Sequence, residues 1–166
     1  LDLSVQASKN SGVTITGALD DTAACFLGGL VVTNNSSNEL LSRVIVNDDY
    51  SILIHVPNHK SYTKDVNYSG SDEFIHSLDT LISMALEGNY LSAMSLNGMI
   101  YSRILKQSNE SAILALKNNA LAAGLSGTGP SVGVICLSEN KSSILDSWKN
   151  LDGDIITAKI NNEKGL

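Results

Sequence analysis

Two cysteines and two prolines are little of either for 166 residues, and each scarcity excludes something. Cys25 and Cys136 lie far apart and form no C-x-x-C unit, so a disulfide scaffold or a cysteine-rich zinc module has nothing to be built from. The favoured reading is two buried thiols in a reducing cytoplasm, with a single disulfide the lesser alternative. Basic charge is also scarce. Eleven Lys and Arg against 17 Asp and Glu give a net charge of −6, which disfavours a nucleic-acid or anionic-membrane partner. An anionic ligand would have to be held locally, by backbone amides, helix N-termini or a metal ion. Long apolar runs are missing too, broken throughout by Asn, Ser, Gly or charge, so nothing reads as a bilayer span. His55, His59 and His76 have no metal-ligand spacing with the cysteines, and Pro57 denies a helix that would align the first two. No metal site made directly by a protein cluster is expected. Leu1 stands where a methionine would start a chain, and Asp2, Gln6 and Lys9 interrupt any leader, so the sequence reads as beginning partway through a larger polypeptide.

What is present is a globular composition, 43% hydrophobic and 17% charged, long enough to bury a core. Leu3 and Ala7 ahead of Gly12 predict the tail of a helix, and Val13–Thr16 a short β-branched segment. Asp20 and Asp21 open an Ala-rich helix that stops at Gly28-Gly29. Three strands, Leu30–Thr33, Leu40–Val46 and Ile52–Val56, are separated by Asn/Ser and Asp-Asp turns and predict an antiparallel meander. After a long loop from Pro57 to Gly70, apolar spacing predicts three helices. They are marked by Phe74–Ala85, by Leu91–Tyr101 and by Ile113–Leu121, the last behind a Ser108 cap. A strand Val132–Leu137, a helix Ser142–Trp148 and a strand Ile155–Ile160 complete an α+β pattern.

Two segments have residues suited to chemistry. Gly124-Leu125-Ser126-Gly127-Thr128-Gly129-Pro130-Ser131 combines glycines, which let amides converge on an anion, with the hydroxyls of Ser126, Thr128 and Ser131. Its predicted order is helix, loop, strand, the reverse of a Walker loop, and no Lys follows Gly129. Thr16-Gly17-Ala18-Leu19-Asp20-Asp21 places two carboxylates at a helix N-terminus, where one could orient or deprotonate a hydroxyl and one could reach Mg²⁺ through water. Simple capping by Asp20 is the structural alternative. Asn97 and Tyr101 share a helix face beside Gly98 and could line a polar pocket or only a helix contact.

Taken in order, VTITGALDDTAACFLGG, LNGMIYS and LAAGLSGTGPSVGVI resemble the archaeal-type shikimate kinases, members of the galacto-, homoserine-, mevalonate- and phosphomevalonate kinase (GHMP) superfamily. The resemblance runs from Leu3 to about Leu137. It implies a C-terminal domain with a ferredoxin-like antiparallel sheet packed with helices at 49–166, and the remainder of an N-terminal domain at 1–48. It implies cytoplasmic, ATP- and Mg²⁺-dependent phosphorylation of the shikimate 3-hydroxyl, with shikimate and ATP as the partners. An Asp seven residues before the glycine pair acts in several members; counting back from Gly28 gives Asp21 first and Asp20 second. The resemblance assigns Gly124–Ser131 to the phosphate and substrate site and adds weight to Thr16, Gly17, Asn97 and Tyr101 as a substrate pocket. The superfamily's main ATP-phosphate loop matches nothing in this sequence and would lie upstream of Leu1, so the chain alone is expected to be inactive and to self-associate. Another GHMP small-molecule kinase, homoserine kinase first, is the alternative among enzymes: homoserine kinases have a similar serine-glycine-x-glycine-proline loop, but Asp-Asn where this sequence has Asp20-Asp21. A non-catalytic α+β ligand-binding domain is the alternative from another class.

Overall fold

The computed structural model describes residues 1–12, 14, 18–61 and 71–165. They divide into two compact units, Leu1–Asp48 joined by the returning Ile160–Leu166, and Asp49–Lys159. Among the described residues no helix is long and apolar enough to cross a membrane.

The first unit holds α1 (Asp2–Asn10), α2 (Leu19–Leu27) and a hairpin of β1 (Leu30–Asn34) and β2 (Glu39–Val44). α1 closes near Gly12, whose φ of +69° suits glycine. Val5, Leu19 and Ala23 are buried where α1 and α2 pack. β1 and β2 pair from Leu30↔Val44 to Asn34↔Glu39 with a bulge after Val32. The Asn34 side chain accepts the amides of Ser36 and Ser37 and closes the turn. The β-branched segment expected at Val13–Thr16 lies largely outside the described residues.

The second unit is the ferredoxin-like arrangement: β3 (Tyr50–Val56), then α3 (Ile75–Leu86), α4 (Tyr90–Leu105) and α5 (Glu110–Lys117), then β4 (Ala122–Leu125), β5 (Val132–Leu137), α6 (Lys141–Ser147) and β6 (Asp154–Lys159). Its sheet has the order β4-β5-β3-β6, every neighbour antiparallel. That order interleaves two crossovers, so the strands closing each one lie beside strands of the other. Period-2 alternation in β3 points Leu53 and His55 towards the core, against Val134 and Val132 of β5. There Ala112 and Ala115 of α5, Ile144 of α6 and Trp148 complete the cluster. The Trp148 indole N–H donates to the Ser111 carbonyl at 2.9 Å, and its ring lies 5.6 Å from that of His55.

Three expectations need correction. The meander stops at β2, because both edges of β3 are taken by the distant β5 and β6. The third helix ends at Lys117 and does not reach Leu121, and Ala122–Leu125 is a strand, so the glycine-rich segment is the tip of a strand–loop–strand hairpin. Of the two thiols only Cys136 is buried; Cys25 is exposed, and the two are unpaired.

Candidate active site

α2 carries the acidic pair in its first turn. Its N-cap, Ala18, is left-handed with φ 49° and makes no side-chain capping bond, so Asp20 is not a cap. Instead the Asp20 carboxylate accepts the Asn35 side-chain amide at 2.8 Å, and Asn35 in turn accepts the Thr33 hydroxyl at 3.0 Å. This short chain fastens Asp20 to the tip of the β1–β2 hairpin. Asp21 has no side-chain hydrogen bond among the described residues. Partial burial, and next the negative charge of Asp20, raise its pKa above the ordinary aspartate value, although the residue as a whole stays exposed. The α2 dipole acts in the opposite sense, favouring the anion at this end of the helix. The two adjacent acids therefore differ: Asp20 is tied into the fold, and Asp21 is a carboxylate with raised basicity and without a hydrogen-bond partner among the described residues. Thr16 and Gly17 lie outside the described residues.

In the second unit the glycine hairpin is closed by the Ser126 amide donating to the Ser131 carbonyl at 2.8 Å, and its turn by the Gly129 amide donating to the Ser126 carbonyl at 2.9 Å. Gly127 and Gly129 have φ of +57° and +78°, left-handed values that favour glycine. Two amides thus serve the loop itself and Pro130 has none, so fewer remain for an anion than the sequence alone suggested. Ser126 and Gly127 are exposed, and Thr128, Gly129 and Ser131 are half-buried. Gln107, just past α4, braces the loop: a β-carbon at Gly129 would lie 3.2 Å from its side chain, whose amide donates to Ser61 at 3.1 Å.

Gly124 is a buried β4 residue, backed by Gly98 of α4. A β-carbon at Gly98 would fall on the Gly124 Cα and 2.7 Å from the Leu125 amide nitrogen. The Ser95 hydroxyl accepts the Ala123 amide at 3.1 Å, so α4 also supplies a partner to edge strand β4. This contact places Asn97, exposed, and Tyr101, half-buried, on the helix that supports the glycine hairpin. Ser95 and Asn35 carry no sequence signal beyond being polar; Gly98, out of place within a helix, was the only hint of the contact. Gly98→Ala sets a helix-propensity gain of about 1 kcal/mol against overpacking of roughly 1–3 kcal/mol. Because the opposing atoms are backbone, overpacking should win and lower the urea midpoint. A raised midpoint would show that the contact is loose.

Among the described residues no group of three or more His, Cys, Asp or Glu could hold a metal ion. Residues 88–152 match the family model for GHMP kinases C terminal. A shikimate kinase from Methanothrix thermoacetophila is 38% identical over 160 residues, 96% of this chain and 55% of that protein. One from Pyrococcus furiosus is 35% identical over 156 residues, 94% of this chain and 56% of that protein. The chain thus spans a little over half the length of these relatives. Among solved structures, homoserine kinase from Cytophaga hutchinsonii has a TM-score of 0.61 at 20% identity, covering 85% of this chain and 51% of that one. Mevalonate kinase from L. major has a TM-score of 0.63 at 17% identity, with coverage of 92% and 54%. At these identities the two structures speak for the fold.

Proposed function

We propose, from the match of residues 88–152 to the family model for GHMP kinases C terminal and the similarity to shikimate kinases along the chain, that the chain belongs to the GHMP kinases and works as the C-terminal portion of a shikimate kinase. In this reading Leu1–Asp48 is the remainder of an N-terminal domain, and the reaction moves the γ-phosphoryl group of ATP to the shikimate 3-hydroxyl in the cytoplasm. The observation that carries the proposal is that similarity to shikimate kinases runs through both units, and not only through the C-terminal domain that all GHMP kinases share.

The residues supply a consistent chemistry. Asp21 accepts a hydrogen bond, and finally the proton, from the 3-hydroxyl, whose oxygen forms a bond to the γ-phosphorus. The bond from that phosphorus to the β,γ-bridging oxygen breaks, and ADP departs. A raised pKa makes Asp21 a better proton acceptor than an ordinary aspartate, provided it is ionised at working pH. Asp20, held by Asn35, adds negative charge and keeps the α2 turn in place. Ser126, Thr128, Ser131 and the exposed Gly127 backbone are the phosphate- and substrate-side donors, with Thr16, Gly17, Asn97 and Tyr101 as pocket residues. Mg²⁺ would be held mainly by the nucleotide phosphates and water, as this ion prefers, so the lack of a protein cluster among the described residues is compatible with it.

The test is ADP release by a full-length polypeptide containing this chain, with shikimate and homoserine compared. Turnover with shikimate and little with homoserine is expected. Preference for homoserine would move the chain to the other GHMP branch, and turnover with neither would favour a binding domain.

A further inference from the structure

The C-terminal end of α2 is built more elaborately than a helix of nine residues requires. Its last turn contains no basic residue, yet the carbonyls there are almost all accounted for. The Ala24 carbonyl accepts the Gly28 amide at 2.9 Å, and the Phe26 carbonyl accepts the Gly165 amide at 2.7 Å. Arg43, one of only two arginines in the chain, reaches over from β2 and donates Nε to both the Leu27 carbonyl at 2.9 Å and the Gly28 carbonyl at 3.1 Å. Its Nη2 donates to the Asn162 carbonyl at 2.7 Å. One half-buried guanidinium thus joins the helix end, the hairpin and the returning C-terminal segment.

Asn162 holds the other side of the junction. Its Nδ2 donates to the Val46 carbonyl at 2.8 Å and to Asp48 at 2.6 Å, while its Oδ1 accepts the Val46 amide at 3.1 Å. The Gly29 amide donates to the Asn161 carbonyl at 2.7 Å. Gly28 and Gly29 leave the helix at φ +66° and +74°, and a β-carbon on Gly28 would lie 2.9 Å from the Asn161 carbonyl oxygen. The packing leaves no slack at this end of the helix.

From this geometry we infer that Arg43 and Asn162 are positioning residues for Asp21, acting through α2 as a lever; the inference rests on the kinase reading above. An α-helix of nine residues is about 13 Å long, so a tilt of roughly 5° at the anchored end displaces the acidic turn by about 1 Å. An error of that size costs about 10²-fold in a reaction that depends on alignment. A planar guanidinium is suited to the task because it satisfies several carbonyls at once, and a lysine ammonium cannot reproduce the fork. The cation also sits at the negative end of the α2 dipole, whose positive end faces the acidic pair.

Two readouts test this. In the full-length polypeptide, Arg43→Met should lower kcat roughly 10–100-fold while KM for shikimate and ATP stays within about threefold. Arg43→Lys should recover part of the loss, and Asn162→Ala should reproduce the kcat effect. In parallel, hydrogen exchange on the chain itself should show α2 amides losing protection, with β1–β2 and the second unit keeping theirs. Unchanged kcat and unchanged α2 exchange in both variants would overturn the inference. So would loss of β1–β2 protection together with α2, which would make Arg43 a residue of general stability. The exchange arm does not depend on turnover. If wild-type enzyme ignores shikimate, or Asp21→Asn retains full activity, the kinase reading fails, and selective loosening of α2 still reports on the lever.

Discussion

Asp21→Asn, made in the full-length polypeptide, is expected to lower kcat for shikimate by roughly 10²–10⁴-fold without lowering stability. The first half follows from the loss of the proton acceptor, since asparagine can accept a hydrogen bond and cannot take the proton. The second follows from the sign of the pKa shift. Burial and the Asp20 charge raise the folded-state pKa of Asp21. The stabilisation this gives is present below the ordinary aspartate value of about 3.9 and is lost as pH rises through the raised value. At neutral pH the ionised group therefore opposes folding, and the neutral asparagine should keep or raise the thermal midpoint. Asp20→Asn separates the two acids. It keeps an oxygen on that side chain and removes the second cause of the Asp21 shift, so the acidic limb of the pH–rate profile should move to lower pH with a small loss of rate. Wild-type turnover in both variants would reduce the pair to structural residues and favour the ligand-binding alternative.

Trp148→Ala should cost about 3–5 kcal/mol, a large share of the ~5–15 kcal/mol that holds a domain together. Trp148 is 1% exposed at the centre of the core cluster, between α5, α6 and β3. Truncation removes the largest buried side chain, leaves the Ser111 carbonyl without the indole donor and exposes one face of His55 to a void. His55 is itself 5% exposed, and its Nε2 lies 2.8 Å from the Asp152 carbonyl; its Nδ1 has no partner among the described residues. Trp148→Phe should lose less, keeping a ring but forfeiting the hydrogen bond, at about 1–3 kcal/mol. Urea unfolding followed by circular dichroism measures both, because the chain has a single Trp and loses its fluorescent probe. A cost below about 1 kcal/mol for the alanine variant would mean that this cluster does not hold the second unit together.

Much of the fold was legible in the sequence where the signal is local. Apolar spacing located α3 and α4, acids and glycines bracketed α2, and β-branched runs located β3, β5 and β6. β4 was not legible, because Ala122-Ala123-Gly124 has poor strand propensity. Those small residues are present because α4 passes against the strand, a tertiary requirement that no window of sequence contains. The β2–β3 error has a similar origin: the Asp48-Asp49 turn looks like a hairpin until the distant β5 and β6 claim both edges of β3. At the candidate site the acidic pair stood out in the sequence, and what separates the two acids did not, since Asn35 lies 15 residues away in a turn of ordinary composition. The returning segment at Asn162, 119 residues beyond Arg43, was invisible for the same reason.

The sheet order has a consequence for how the polypeptide acquires its structure. β3 is the central pair-maker of the second unit, with Ile54 opposite Gly133 on one side and Ile156 on the other. It leaves the ribosome well before either partner, and about a hundred residues separate it from β6. Both edges of an apolar strand therefore wait open through the synthesis of α3, α4 and α5, and ring closures this long make assembly slow. Folding of this unit should be completed only after residue 159 is available, and the interval before it is when the nascent chain is most exposed to mispairing.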